Sequence, residues 1–115
     1  MRKGIRNMLI KATQQRKVVY YSEVGEAVNL SMGNPHQRAE LGRILSEISS
    51  EEHDNGRPLL AAIVVHKDNK KPGEGFFNLA RNIGKQKPDE DNDTFCKIEK
   101  ERVFDEWAVP GAKGQ

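Results

Sequence analysis

The sequence predicts an α+β fold in which three helices precede a two-stranded hairpin and a further helix closes the chain. Three observations predict it. Apolar residues recur at helical spacing through the first half. A run over 58–66, apolar up to its closing His66, leads into a charged turn and then an aromatic stretch. A last set of spaced apolar residues follows a polar gap. The chain has 115 residues, of which 36% are hydrophobic and 31% charged, enough for one domain with its own core.

Ile5, Met8, Leu9 and Ala12 fall at i, i+3, i+4 and i+7, so a first amphipathic helix is expected over residues 3–15. Residues 17–21 are β-branched and aromatic, which suits a short strand. Alternation along that strand would bury one of Tyr20 and Tyr21 and expose the other. Ser22 is a natural N-cap for a second helix with Val24, Ala27 and Val28 inward. Residues 31–35 form a turn. Asn34 caps a third helix, Pro35 suits its first position, and Gln37 stands where a capping box needs it. Leu41, Ile44, Leu45 and Ile48 carry that helix to about residue 49. Residues 51–57 read as a polar loop ending in an Asn-Gly turn.

Residues 58–66 read as a buried strand, 67–73 as a charged turn, and 75–79 as a returning strand or the start of a short helix through Ala80 and Arg81. Phe95, Ile98, Val103, Phe104 and Trp107 mark a last helix. The expected organisation is a body over 1–83, a linker over 84–93 with no apolar residue, a docking helix over 94–109 and a disordered tail over 110–115. Three helices followed by a hairpin is the order of a winged helix-turn-helix. The third helix would then be the recognition helix and the 67–73 turn the wing.

Charge is unevenly placed. Residues 1–50 hold eight Lys and Arg against four Glu, a surplus of +4; residues 87–115 hold five against eight Asp and Glu, a balance of −3. A basic half suits a phosphate-facing surface, and a solvated helix face is the plainer alternative. No apolar run nears the roughly 20 residues that cross a bilayer, and the basic N-terminus lacks a continuous apolar core, so no membrane partner and a cytoplasmic protein are expected. The single cysteine, Cys96, excludes an internal disulfide.

The candidate nucleic-acid contacts are Tyr21, Asn34, His36, Gln37, Arg38 and Arg43 around the third helix, with Lys67, Lys70 and Lys71 on the wing. DNA is the first expected partner and RNA the second. His36, His53 and His66 lack metal-ligand spacing, so neither a metal nor a cofactor is expected. Two alternatives stand beside this reading. One is a protein-interaction module or dimer with Phe77, Phe104 and Trp107 at its seam. The other is a small metal-independent nuclease or toxin in which His66 and Glu74 move a proton.

Five short motifs carry a family resemblance: Tyr21 within YYSEVGEAV, the Gly33-Asn34-Pro35 turn, the stretch Arg38-Ala39-Glu40-Leu41-Gly42, the strand ending Ile63-Val64-Val65-His66, and Gly75-Phe76 after the turn. Through them residues 17–79 resemble the C-terminal winged-helix domain of the alkylguanine-DNA alkyltransferases and their catalytically inert alkyltransferase-like relatives. Ala61 stands where that family has its reactive Cys, with Ala62 and Ile63 in place of its His and Arg. The family's helix Arg position falls on Ala39, one residue past Arg38, an offset of about 100° around a helix. The resemblance therefore implies DNA recognition without alkyl transfer.

Overall fold

The structure is a computed structural model that describes residues 2–108, so the tail expected over 110–115 lies outside the described residues. It is α+β and mostly helical. In chain order the elements are α1 (Arg2–Gln14), β1 (Val19–Tyr20), α2 (Tyr21–Ala27), α3 (Pro35–Asp54), a 3₁₀ turn (Leu60–Ile63), β2 (Val64–Val65), α4 (Glu74–Asn82) and α5 (Asn92–Glu106).

Helices α1 and α3 form where apolar spacing places them; in α2 only Val24 of the three expected inward residues is buried, since Ala27 is exposed and Val28 is the half-buried C-cap. Ile5 and Leu9 of α1 are buried, as are Leu41, Ile44, Leu45 and Ile48 of α3. Asn34 caps α3 by accepting the backbone N–H groups of His36 and Gln37 at 2.9 and 3.2 Å. The reciprocal half of the capping box is displaced: the Gln37 side chain accepts the N–H of Ser31. Helix α2 starts one residue before Ser22, and the Glu23 carboxylate accepts the N–H of Tyr20 at 2.9 Å. Helix α3 runs five residues past the expected end, to Asp54, before Asn55 and Gly56 close it. The extension is held by Glu52, whose buried carboxylate accepts Arg6 Nε at 2.7 Å and Arg57 Nε at 2.6 Å.

The hairpin is not formed. The only sheet among the described residues pairs β1 with β2 in parallel, Val19 opposite Val64 and Tyr20 opposite Val65. Parallel strands need a long crossover, and α2 with α3 supplies it. The segment expected to return as the second hairpin strand is α4. Phe76 and Phe77 are adjacent in sequence and both buried, together with Ala80. A helix turns two neighbouring side chains toward one broad face, whereas a strand open to water on one side points them to opposite faces. The long strand expected over 58–66 shortens to Val64 and Val65, because residues 60–63 wind into a 3₁₀ turn buried on every side. Side chains brace its entry: Glu99 accepts the N–H of Leu59, just before the turn, at 2.7 Å, and Ser49 Oγ accepts that of Ala61 within it at 3.0 Å.

This turn is the centre of the molecule, with α1, α3 and α5 packed around it. Helix α5 contributes Phe95, Val103 and Phe104 to the same core. In the polar stretch before α5, Gln86 is buried and its amide donates to Glu90 O and Asn92 Oδ1. No helix of the described residues is long and apolar enough to cross a membrane.

Candidate functional site

A cleft of about 400 Å³ opens between α3, the loop after β2 and the start of α4. Each wall follows from local structure. Arg38, Gly42, Leu45, Ser46 and Ser49 recur at three- to four-residue intervals and form one stripe of α3. Tyr21 and Ser22 enter from the start of α2, and Ala61 closes the floor. His66 and Lys67 stand on the loop after β2, while Gly73, Gly75, Phe76 and Leu79 come from the beginning of α4.

Tyr21 and His66 organise this wall. Their rings stack with centroids 4.6 Å apart and planes 30° from parallel. The Tyr21 hydroxyl accepts the N–H of Gly73 at 2.9 Å. Burial pushes the Tyr21 phenol above its ordinary pKa of 10.0, partly offset by that backbone bond. The phenol is therefore a neutral hydroxyl at pH 7. Gly73 is closely packed: a Cβ there would lie 3.1 Å from the Tyr21 oxygen and 3.3 Å from His66 Nε2, so either side chain would have to give by a few tenths of an ångström. Gly42 and Gly75 differ, since a Cβ at either meets nothing within 4 Å among the described residues. Those two glycines border open cleft.

The electrostatics are one-sided. No Asp or Glu lines the cleft, although the chain holds 17 of them. Arg38 and Lys67 do line it, and neither has a carboxylate within ion-pair distance among the described residues. Arg38 donates to the carbonyl of Met32 at 3.2 Å, which holds it at the rim. Beside the cleft, Lys70 donates to the Tyr20 hydroxyl at 2.8 Å and lies over the Tyr20 ring, with Lys67 5.5 Å from the same ring.

The residues expected from sequence thus divide. Tyr21, Arg38, His66 and Lys67 come together at the cleft, and Lys70 stands next to it. Arg43 does not join them: Glu40 and Glu47 of its own helix take its guanidinium. Lys71 is paired with Asp93 at 2.8 Å. Asn34 and Gln37 are engaged at the start of α3, and His36 is exposed there. Tyr20 and Tyr21 do not alternate; both are half-buried, because α2 begins at Tyr21 and ends the strand geometry. His66 packs on Tyr21, and no hydrogen bond joins it to Glu74 among the described residues. Phe77 and Phe104 lie in the core, and Trp107 is half-buried under the guanidinium groups of Arg6 and Arg57. None of the three is a large exposed hydrophobic, which a seam on the surface requires. Among the described residues no group of three or more His, Cys, Asp or Glu is placed to hold a metal ion.

Sequence reasoning did not single out Ser49, Gly42 or Phe76 as site residues. The spacing of Gly42, Ser46 and Ser49 beside the apolar face of α3 is the signal that marks them.

Compared with known proteins, the chain matches no family model, no curated protein and no solved structure.

Proposed function

We propose that the protein binds nucleic acid, DNA in the first instance, without chemistry of its own, and that it does so at the rim of the cleft. The observation that carries this reading is the pair Arg38 and Lys67 on a cleft wall with no carboxylate. Cations without a paired carboxylate attract phosphate and release its counterions. Lys70 extends the same positive edge beyond the cleft. The grip is a loop and one helix end, not a wing: residues 67–71 fold back through the N–H of His66 on Lys71 O and the N–H of Lys70 on His66 O, both at 2.9 Å.

Fluorescence anisotropy with a labelled duplex and a labelled single strand tests it. With three phosphates neutralised, log affinity should fall against log salt with a slope of about −2.7 on duplex and about −2 on single strand. A fourfold rise in salt then weakens duplex binding about 40-fold. The double variant Arg38→Ala/Lys67→Ala should lose most of that slope. Absence of binding at low salt, or binding indifferent to salt, overturns the reading. Cleavage of the probe by wild type and not by His66→Ala would move the protein to the nuclease alternative.

A further inference from the structure

We infer that a second phosphate site lies between the 69–72 loop and α5, where Lys97 and Lys100 take further phosphates of the strand held at Arg38 and Lys67. The inference rests on the nucleic-acid reading for the identity of the anion and goes beyond it in carrying the interface onto the last helix.

One stripe of α5 builds this pocket. Asp93, Cys96, Lys97 and Lys100 stand at i, i+3, i+4 and i+7, so they share a face of the helix. Asn69, Lys70, Lys71 and Pro72 form the other wall, and the buried Ala62 and Val65 form the floor.

Charge gathers here. Four lysines line the pocket against a single acid, Asp93, which is paired with Lys71 at 2.8 Å. Lys97 is exposed and Lys100 half-buried, and neither has a carboxylate within ion-pair distance among the described residues. Other acids of the same helix are engaged elsewhere. Glu101 and Asp105 accept Arg16, while Glu99 is buried against Lys85 and the N–H of Leu59. The acidic balance of residues 87–115 in sequence therefore conceals a cationic face in the fold.

Size and continuity point to the phosphates of a strand. The pocket, about 220 Å³, is smaller than the roughly 300–1,000 Å³ typical of small-molecule sites, so it seats a compact anion and not a ring system. Ammonium groups above an apolar floor focus their field on such an anion, and lysine meets phosphate as a point charge. The loop then joins two cationic places. Lys67 lines the cleft; Lys70 lines the pocket while its ammonium donates to the Tyr20 hydroxyl. A chain of phosphates crossing the loop passes from one to the other, which an isolated anion has no means to do.

Two measurements test this. In fluorescence anisotropy, two phosphates added to the three at the cleft edge steepen the duplex salt slope from about −2.7 to about −4.5. A fourfold rise in salt then weakens binding about 500-fold, and Lys97→Gln/Lys100→Gln should return the slope to about −2.7. Circular dichroism confirms the fold of that variant. Cys96 supplies the second readout, because it is the single cysteine of the chain, half-buried, and lines the pocket. Duplex at low salt should slow its alkylation by N-ethylmaleimide several-fold. A slope of about −2.7 that Lys97→Gln/Lys100→Gln leaves unchanged, with Cys96 alkylated at one rate with and without duplex, would overturn the inference and leave the nucleic-acid reading intact. Equal protection of Cys96 by inorganic phosphate at the same phosphate concentration, or by polyglutamate, would assign the pocket to a free anion or an acidic protein and overturn the strand. A slope that falls in Lys97→Gln/Lys100→Gln and not in Arg38→Ala/Lys67→Ala would keep the pocket and overturn the cleft rim. Absence of duplex binding at low salt overturns both.

Discussion

The phenol oxygen of Tyr21 accepts the backbone N–H of Gly73 at 2.9 Å, across 52 positions of chain. This bond joins the start of α2 to the start of α4 and sets one wall of the cleft. Gly73 has φ −77° and ψ 172°, extended backbone open to any residue, so close packing and not backbone strain is what a side chain there would meet. Gly73→Ala should require the Tyr21 hydroxyl and His66 to yield by a few tenths of an ångström, which strains the bond between Tyr21 and the Gly73 N–H and should cost about 1 kcal/mol. Tyr21→Phe, which removes one acceptor and leaves the N–H of Gly73 without it, should cost about 1 kcal/mol. Urea midpoints measure both, and a Gly73→Ala protein as stable as wild type would refute the packing account.

The same tyrosine has a signature in alkali. Burial raises its pKa above 10.0, so the folded state holds the proton after the unfolded state has released it. The stability this group contributes is complete below pH 10 and falls as pH rises through the folded value. Spectrophotometric titration should show a tyrosine phase above pH 10, and Tyr21→Phe should remove it.

Glu52 works in the opposite pH range. Burial alone would raise its carboxyl, but hydrogen bonds and charge from Arg6 and Arg57 outweigh burial and hold it below its ordinary 4.5. The unfolded state therefore takes up a proton first on acidification. The contribution is present above pH 4.5 and is lost as pH falls through the lower folded value. Glu52→Gln should flatten the stability profile below pH 4.5. Its cost at pH 7 should be about 1–3 kcal/mol, limited because both guanidinium groups are about a third exposed and screened.

Two arginines of one helix should behave differently. Arg38→Ala removes a cation from the cleft rim and should weaken oligonucleotide binding several-fold at low salt. Arg43 is already engaged with Glu40 and Glu47, so Arg43→Ala should change affinity by less than about twofold. Anisotropy on the two single variants decides this, and equal losses would move the interface along α3.

Glycine-to-alanine exchange should change sign with position. At Gly25 a Cβ would lie 2.7 Å from the carbonyl oxygen of Leu30 and 2.9 Å from the Met32 methyl, and the first of these is backbone. Gly25→Ala should cost about 1–3 kcal/mol. Gly42 lies inside α3 with nothing within 4 Å of a built Cβ, so Gly42→Ala should stabilise by about 1 kcal/mol. Thermal melts of the pair test both signs at once.

Helical spacing in Ile5 and Leu9 and in Leu41 through Ile48 is enough to place α1 and α3, because one-sided burial writes its period into the chain. The Asn34 cap and the Asn55-Gly56 stop are equally local. Helix α5 is less legible: Phe95, Val103 and Phe104 are buried, but Ile98, expected beside them, is exposed. Segments buried on all sides carry no such period. Leu60 to Ile63 and the Phe76-Phe77 pair are apolar whichever way the backbone turns, so tertiary packing chose a 3₁₀ turn for one and a helix for the other. Partner choice was also non-local: Val19 and Val64 pair in parallel only because α2 and α3 bring the chain back in the same direction. The candidate site divides along the same line. Arg38 and Lys67 could be picked out as cations from sequence alone. That they share the cleft with Tyr21 and His66, while Arg43 and Lys71 are drawn off by carboxylates, is decided by distances between side chains that only the folded chain sets.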